Sequence, residues 1–144
     1  MRSSSPGSAS DTVTTATREL LAPRADVWAF FAEPYHLADW WPGILGVHPD
    51  RRGFAPDARW TVRLRTQNIF TGRGERETLL LVRVVEPYER WAWHLLSAKL
   101  DVELRLQALE PERTRVTCTT NRRRRLPAQA LQRLYDLVQT AASP

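Results

Sequence analysis

Glu19-Leu-Leu-Ala-Pro-Arg-Ala-Asp-Val-Trp-Ala-Phe-Phe-Ala-Glu-Pro-Tyr-His-Leu-Ala-Asp-Trp-Trp-Pro-Gly43 is the stretch whose reading decides the fold. A strand ends at Leu20–Leu21, and Pro23 presets φ for the first turn of a short helix. Val27, Phe30 and Phe31 recur at helical spacing with Trp28 beside them, so one face of that helix is apolar. Glu33-Pro34 stops it, because the residue before a proline is pushed out of the α region. A second short helix, about Pro34–Asp39, then runs into Trp40-Trp41-Pro42-Gly43. One strand and two short helices ahead of a long β region restrict the topology sharply.

Working outward, Thr12–Leu21 reads as the first strand, being rich in β-branched residues, and Ile44–His48 as a short second one. Pro49-Asp50-Arg51-Arg52-Gly53 is a turn cluster and Phe54–Ala58 a loop containing Pro56. Arg59–Thr66 alternates, with Trp60, Val62 and Leu64 on one face and Thr61, Arg63 and Arg65 on the other. Gly72-Arg73-Gly74 reads as the turn into a strand over Glu75–Val85, whose inner face carries Thr78, Leu80, Val82 and Val84. Arg90–Leu96 follows with Trp91, Trp93 and Leu95 on one face. Leu100–Leu109 sets Val102, Leu104, Leu106 and Ala108 against Asp101, Glu103, Arg105 and Gln107, and Thr114–Asn121 gives Val116, Cys118 and Thr120 on one face. Successive strands with short turns make an antiparallel meander. A long last helix starts near Pro127, with Ala130, Leu131, Leu134, Leu137, Val138 and Ala141 on one stripe. That stripe must be buried, and the apolar face of the sheet is the only large surface for it, which makes the chain α+β.

This order of elements resembles the START-like, helix-grip (SRPBCC) superfamily, in the branch labelled polyketide cyclase/dehydrase. Val82-Arg83-Val84-Val85-Glu86-Pro87 followed by Arg90-Trp91 is similar to its valine–acid–proline turn, and Leu109-Glu110-Pro111 followed by Thr114-Arg115-Val116-Thr117 to its closing hairpin. The likeness spans about residues 12–142. It implies a curved antiparallel sheet wrapped around the C-terminal helix with an apolar cavity between them. It also implies a small hydrophobic, polyketide- or lipid-like guest, a cyclase or aromatase as the enzymatic alternative, and a chaperone- or ribosome-binding module as a third class.

At 144 residues and 42% hydrophobic content the chain fits one domain, 12–144, behind a Ser/Gly/Pro-rich tail over 1–11 that reads as disordered. The tail has no apolar central stretch to mark a secretory signal, and there is no run of 18 apolar residues, so membrane insertion is not expected and the location expected is cytoplasmic. The net charge of +5 owes much to Arg122-Arg123-Arg124-Arg125, read as a solvated loop; Lys99 is the sole lysine and the aromatics lie far away, so nucleic acid is not expected as a partner. The pattern carries no oligomer signal.

The lone Cys118 can form neither an intramolecular disulfide nor a thiolate cluster, and it reads as a small buried side chain. His36, His48 and His94 are scattered over different elements, so no metal site or other cofactor is expected. No Gly-rich phosphate loop or nucleophile elbow occurs. Asp101, Glu103, Glu75 and Glu77 fall on polar faces; Arg76 falls on the inner face at its strand's start, either exposed at the rim or paired with an anion. Polar groups able to assist proton transfer on a ketone are Tyr35, His36 and Tyr135, although the first two suit an exposed short helix equally well.

Six tryptophans are many for this length. They are either core or the flat walls of a pocket. The lining expected for such a pocket is Trp28, Phe31, Trp41, Trp60, Val62, Leu64, Trp91, Trp93, Leu104, Leu134 and Val138.

Overall fold

A computed structural model describes residues 13–68, 72–110, 112–122 and 125–142. The tail expected over 1–11 lies outside the described residues, as do Arg123 and Arg124. The elements are β1 (Thr14–Leu20), α1 (Arg24–Phe31), a 3₁₀ turn (Pro34–His36), α2 (Leu37–Trp40), β2 (Ile44–His48), β3 (Arg59–Asn68), β4 (Gly72–Glu86), β5 (Arg90–Leu95), β6 (Leu100–Glu110), β7 (Arg113–Thr120) and α3 (Leu126–Ala142). The second helix expected over Pro34–Asp39 is thus a 3₁₀ turn running into one α-turn.

The strands form one seven-stranded sheet in the order β1-β7-β6-β5-β4-β3-β2, every pair antiparallel. This is a meander with β1 added at its far edge, and with α3 it makes the α+β arrangement that the alternation implies and the helix-grip fold that the resemblance implies. β5 and β7 alternate between buried and part-exposed residues almost without fault. That period of two gives the sheet one apolar face.

Two local expectations are corrected. Gly72-Arg73-Gly74 is not a turn: Gly72, Arg73 and Gly74 pair with Asn68, Gln67 and Thr66 inside the β3–β4 ladder. Glycine fits within the strand because a Cβ on Gly74 would lie 2.8 Å from Thr66 Oγ1. Val84 is not the inward residue either. The β4–β5 register steps from Val82↔Trp93 to Val84↔Ala92, a β-bulge that puts Arg83 and Val84 opposite Ala92 and turns Val85 toward Trp91. Val85, accordingly, is the residue that packs against the core.

α1 starts where Pro23, at φ −63°, accepts the N–H groups of Asp26 and Val27 on its carbonyl. It buries Val27, Trp28 and Phe31. Glu33 is extended ahead of Pro34 (φ −95°, ψ 104°), the conformation that proline imposes on its predecessor. The buried Thr114 hydroxyl donates to the Ala22 carbonyl at 2.8 Å and fastens the start of β7 to the β1–α1 connection. α3 buries Ala130, Leu131, Leu134 and Val138. It packs mainly on β1, β7 and α2, so it covers one end of the sheet. Among the described residues no helix is long and apolar enough to cross a membrane.

Candidate functional site

The aromatic residues meet at the other end of the apolar face. β3 contributes Trp60, β5 contributes Trp91 and Trp93, α1 contributes Trp28 and Phe31, and α2 with its exit contributes Trp40 and Trp41. Each of these seven rings is buried. Trp91 is the hub, with ring centroids 5.5 Å from Phe31, 6.0 Å from Trp60 and 6.1 Å from Trp93. Trp93 meets Trp41 edge-on at 5.0 Å, and Trp41 meets Trp40 at 5.9 Å. The tilted and edge-to-face geometries are those the aromatic quadrupole favours.

Of the expected lining, Trp28, Phe31, Trp41, Trp60, Val62, Trp91, Trp93, Leu104, Leu134 and Val138 are all buried and Leu64 is half-buried. Leu134 and Val138 belong to α3, which lies mainly on β1, β7 and α2, whereas Trp60 and Trp91 are covered by Phe54. Phe54 is the residue sequence reasoning missed. It is a single aromatic between Gly53 and Pro56, in a loop with no periodicity to betray a buried face. Its ring lies 5.1 Å from Trp91, 5.4 Å from Trp28 and 6.5 Å from Trp60. It is only half-buried itself.

The loop carrying Phe54 is built rigidly. The Asp50 carboxylate accepts the backbone N–H groups of Arg52, Gly53 and Arg59. Gly53, at φ +63°, directs its carbonyl to the Trp60 indole N–H, which donates at 2.7 Å. At the far end Asp57 N–H donates to the Val82 carbonyl and Val82 N–H donates to that of Ala58, both at 2.9 Å. Tyr88, in the β4–β5 turn with φ +66°, sets its exposed ring 6.2 Å from Trp28 and completes the rim.

Trp91 and Trp93 differ from Trp60 in one respect. Their Nε1–H groups are buried and have no hydrogen-bond partner. Both side chains are 1% exposed, and both project from the same face of β5.

The polar candidates lie elsewhere. Tyr35 is 57% exposed. The His36 ring stacks on Phe30 at 4.2 Å and its Nδ1–H donates to the Phe30 carbonyl at 3.1 Å. Tyr135, on α3, lies under the Arg18 guanidinium at 4.2 Å, while Arg18 donates to Gln132 at 2.7 Å. Arg76 is exposed. Cys118 is fully buried, and burial pushes its thiol from 9.0 up to about 12.

The outer face carries the ionic chemistry. Arg90 donates to Glu86 and to Glu103, each at 3.0 Å, and Arg105 donates to Glu103 at 3.0 Å. The Arg90 hydrogen bond holds Glu86 below its ordinary value. At Glu103 burial pushes upward, but the hydrogen bonds from Arg105 and Arg90 outweigh it and the net shift is downward. His94 Nδ1–H donates to Asp101 at 2.7 Å. A recess of about 230 Å³ opens nearby, bordered by Arg83 of the bulge, Ala92, Asp101, Glu103 and Thr119. Among the described residues no three His, Cys, Asp or Glu side chains gather as a metal site would require.

This architecture has solved counterparts. The chain is similar to a protein from Deinococcus radiodurans (16% identity, 90% of this chain and 97% of that one, TM-score 0.68). It is similar to a START superfamily protein from Mycobacterium smegmatis (14%, 91% and 99%, TM-score 0.67). It also resembles a point mutant of norcoclaurine synthase from Thalictrum flavum, solved with a transition-state analogue (13%, 91% and 96%, TM-score 0.66). At such identities the likeness concerns the fold. No curated protein matches the sequence. The family model for activator of Hsp90 ATPase homolog 1-like proteins, however, matches residues 21–140, from the end of β1 almost to the end of α3. The chain therefore belongs to the activator of Hsp90 ATPase homolog 1-like family.

Proposed function

We propose that this protein binds a small hydrophobic, aromatic-bearing molecule against the inner face of β3–β5. The observation that carries the reading is the Phe54 ring. It comes from a loop, is half-buried, and lies edge-on to Trp91 and Trp28, where the ring of an aromatic guest would stack. A guest displaces Phe54 and leaves the sheet and α3 in place. START-like proteins generally hold hydrophobic ligands, and an apolar aromatic surface under a loop agrees with that.

Binding is favoured over polyketide cyclisation by where the polar groups stand. A cyclase has to present an acid or base to the reacting carbon chain. Tyr35 points to solvent, His36 is bonded to the Phe30 carbonyl and Tyr135 is engaged with Arg18. Nor is a chaperone-contact reading through Arg122–Arg125 favoured, since Arg122 gives its guanidinium to the Ala98 carbonyl at 2.8 Å and so stitches the sheet's own end.

Titration of tryptophan emission with the neutral N-phenyl-1-naphthylamine and with 2-acetylnaphthalene tests the proposal. Saturable quenching with one site per chain is expected, strengthened several-fold in Phe54→Ala. Absence of saturable binding in both the native protein and Phe54→Ala would reduce the aromatic cluster to core packing.

A further inference from the structure

Trp91 and Trp93 set a chemical requirement on the guest that the apolar cluster alone does not. A buried indole N–H without an acceptor has lost its water and gained nothing in return. Proteins rarely leave such a donor unanswered, and here two of them occupy positions i and i+2 on one face of one strand. Their ring centroids are 6.1 Å apart. Trp60, the neighbouring indole, shows what a satisfied partner looks like: a carbonyl oxygen 2.7 Å from Nε1. The protein supplies that carbonyl from Gly53, on the same loop that carries Phe54, and its described residues offer none to Trp91 or Trp93. Both unanswered donors lie in the aromatic cluster whose Trp91 ring is covered by Phe54.

We infer that the ligand carries a hydrogen-bond acceptor at its buried end, a ketone, ester or similar carbonyl oxygen attached to an aromatic or alicyclic body, and that this oxygen accepts from Trp91 Nε1–H, Trp93 Nε1–H or both. The inference rests on the binding function proposed above and narrows it to a substrate class. A charged head group is disfavoured. No Lys or Arg is among the buried residues, and a carboxylate taken into this interior would meet neutral donors only. A pure hydrocarbon fills the same volume but leaves both donors unpaired. The specificity gained is of the kind that sites with committed buried polar groups show, where the analogue lacking the matching atom is rejected.

A matched pair of probes separates this inference from the reading beneath it. 2-Acetylnaphthalene and 2-isopropenylnaphthalene are close in size and outline, and differ by a carbonyl oxygen in place of a methylene. Isothermal titration of the native protein should show the ketone binding roughly ten- to a hundredfold more tightly. On adding the ketone, at least one indole ¹H–¹⁵N signal should move downfield, with Trp91→Phe and Trp93→Phe spectra assigning which one. The preference should shrink to less than about threefold when the responding tryptophan is phenylalanine, which keeps a ring and removes the donor. Equal affinity for the two probes, or a ketone complex with unmoved indole signals, overturns the acceptor requirement while leaving hydrophobic binding in place. If neither probe binds the native protein or Phe54→Ala, the binding function fails and this inference with it. The probe pair and the indole spectra use native protein, so the test stands even if a tryptophan variant does not fold.

Discussion

The indole of Trp60 donates to the carbonyl of Gly53 at 2.7 Å, and this one bond joins the first residues of β3 to the loop that holds Phe54 over the sheet. Trp60 is 0% exposed, so its N–H has no solvent to fall back on. Trp60→Phe removes the donor, leaves the Gly53 carbonyl unanswered and opens a small void. It should cost about 1–3 kcal/mol in urea unfolding. Loss of the tether should also make Phe54 easier to displace, which limited proteolysis between residues 51 and 57 will register as faster cleavage. A stability unchanged within experimental error would mean that the bond does not restrain the loop.

Leu134 tests the opposite end of the molecule. It is fully buried on α3, where the helix lies on β1, β7 and α2. Leu134→Ala should lower stability by about 2–5 kcal/mol, the range for deleting a buried leucine side chain with incomplete collapse of the cavity. A loss below about 1 kcal/mol would show that the stripe is not packed there.

The Glu86–Arg90–Glu103–Arg105 group contributes to behaviour in acid. Glu86 and Glu103 are both held below the ordinary value of 4.5 in the folded chain. A depressed carboxylate stabilises the fold at pH above its unfolded value, and that contribution disappears as pH falls through the folded value. Stability should therefore be level from neutral pH down to about 5 and decline below 4.5. Arg90→Gln should lower neutral stability slightly and flatten the acid decline by that same small amount, because the ion pairs contribute only while the carboxylates are ionised. An acid unfolding curve identical for both proteins would assign the decline to other carboxylates.

Cys118 contributes on the alkaline side. Its thiol is held neutral up to about 12 in the fold, whereas an unfolded thiol ionises near 9.0. Stability from this group is complete below pH 9.0 and falls between there and about 12, since over that window only the unfolded chain carries the thiolate. Thiol labelling at pH 8 should be slow in the native protein and prompt in denaturant. Prompt native labelling would mean that β7 opens locally.

Much of the fold was legible because its strands obey a period of two and its last helix a period of 3.6. Leu100–Leu109 and Arg90–Leu96 were read within a residue of β6 and β5 for that reason. The errors fall where composition offers the same answer twice. Val82-Arg83-Val84-Val85 has an apolar residue at either parity, so the bulge that sends Val85 inward leaves no mark in the pattern. Gly72 and Gly74 look like a turn until the partner strand is known, since only the nearness of Thr66 explains a glycine there. The aromatic residues themselves were visible, but their sorting was not. Nothing in the order of residues says that Phe54 would cover Trp91, or that of three neighbouring indoles only that of Trp60 would find a carbonyl.

Phe54 has a consequence for any measured affinity. A ring carried on the chain's own loop is present at its target at fixed, high local concentration, whatever the concentration of free molecules outside. A guest that stacks on Trp91 thus meets a protein that is its own competitor. The dissociation constant read in solution is the intrinsic one divided by the fraction of chains with the Phe54 ring turned away. If that fraction is near one in a hundred, a submicromolar surface behaves as one of tens of micromolar, about 2.7 kcal/mol weaker. Weak apparent binding would then measure the grip of a single phenylalanine before it measured the fit of the guest.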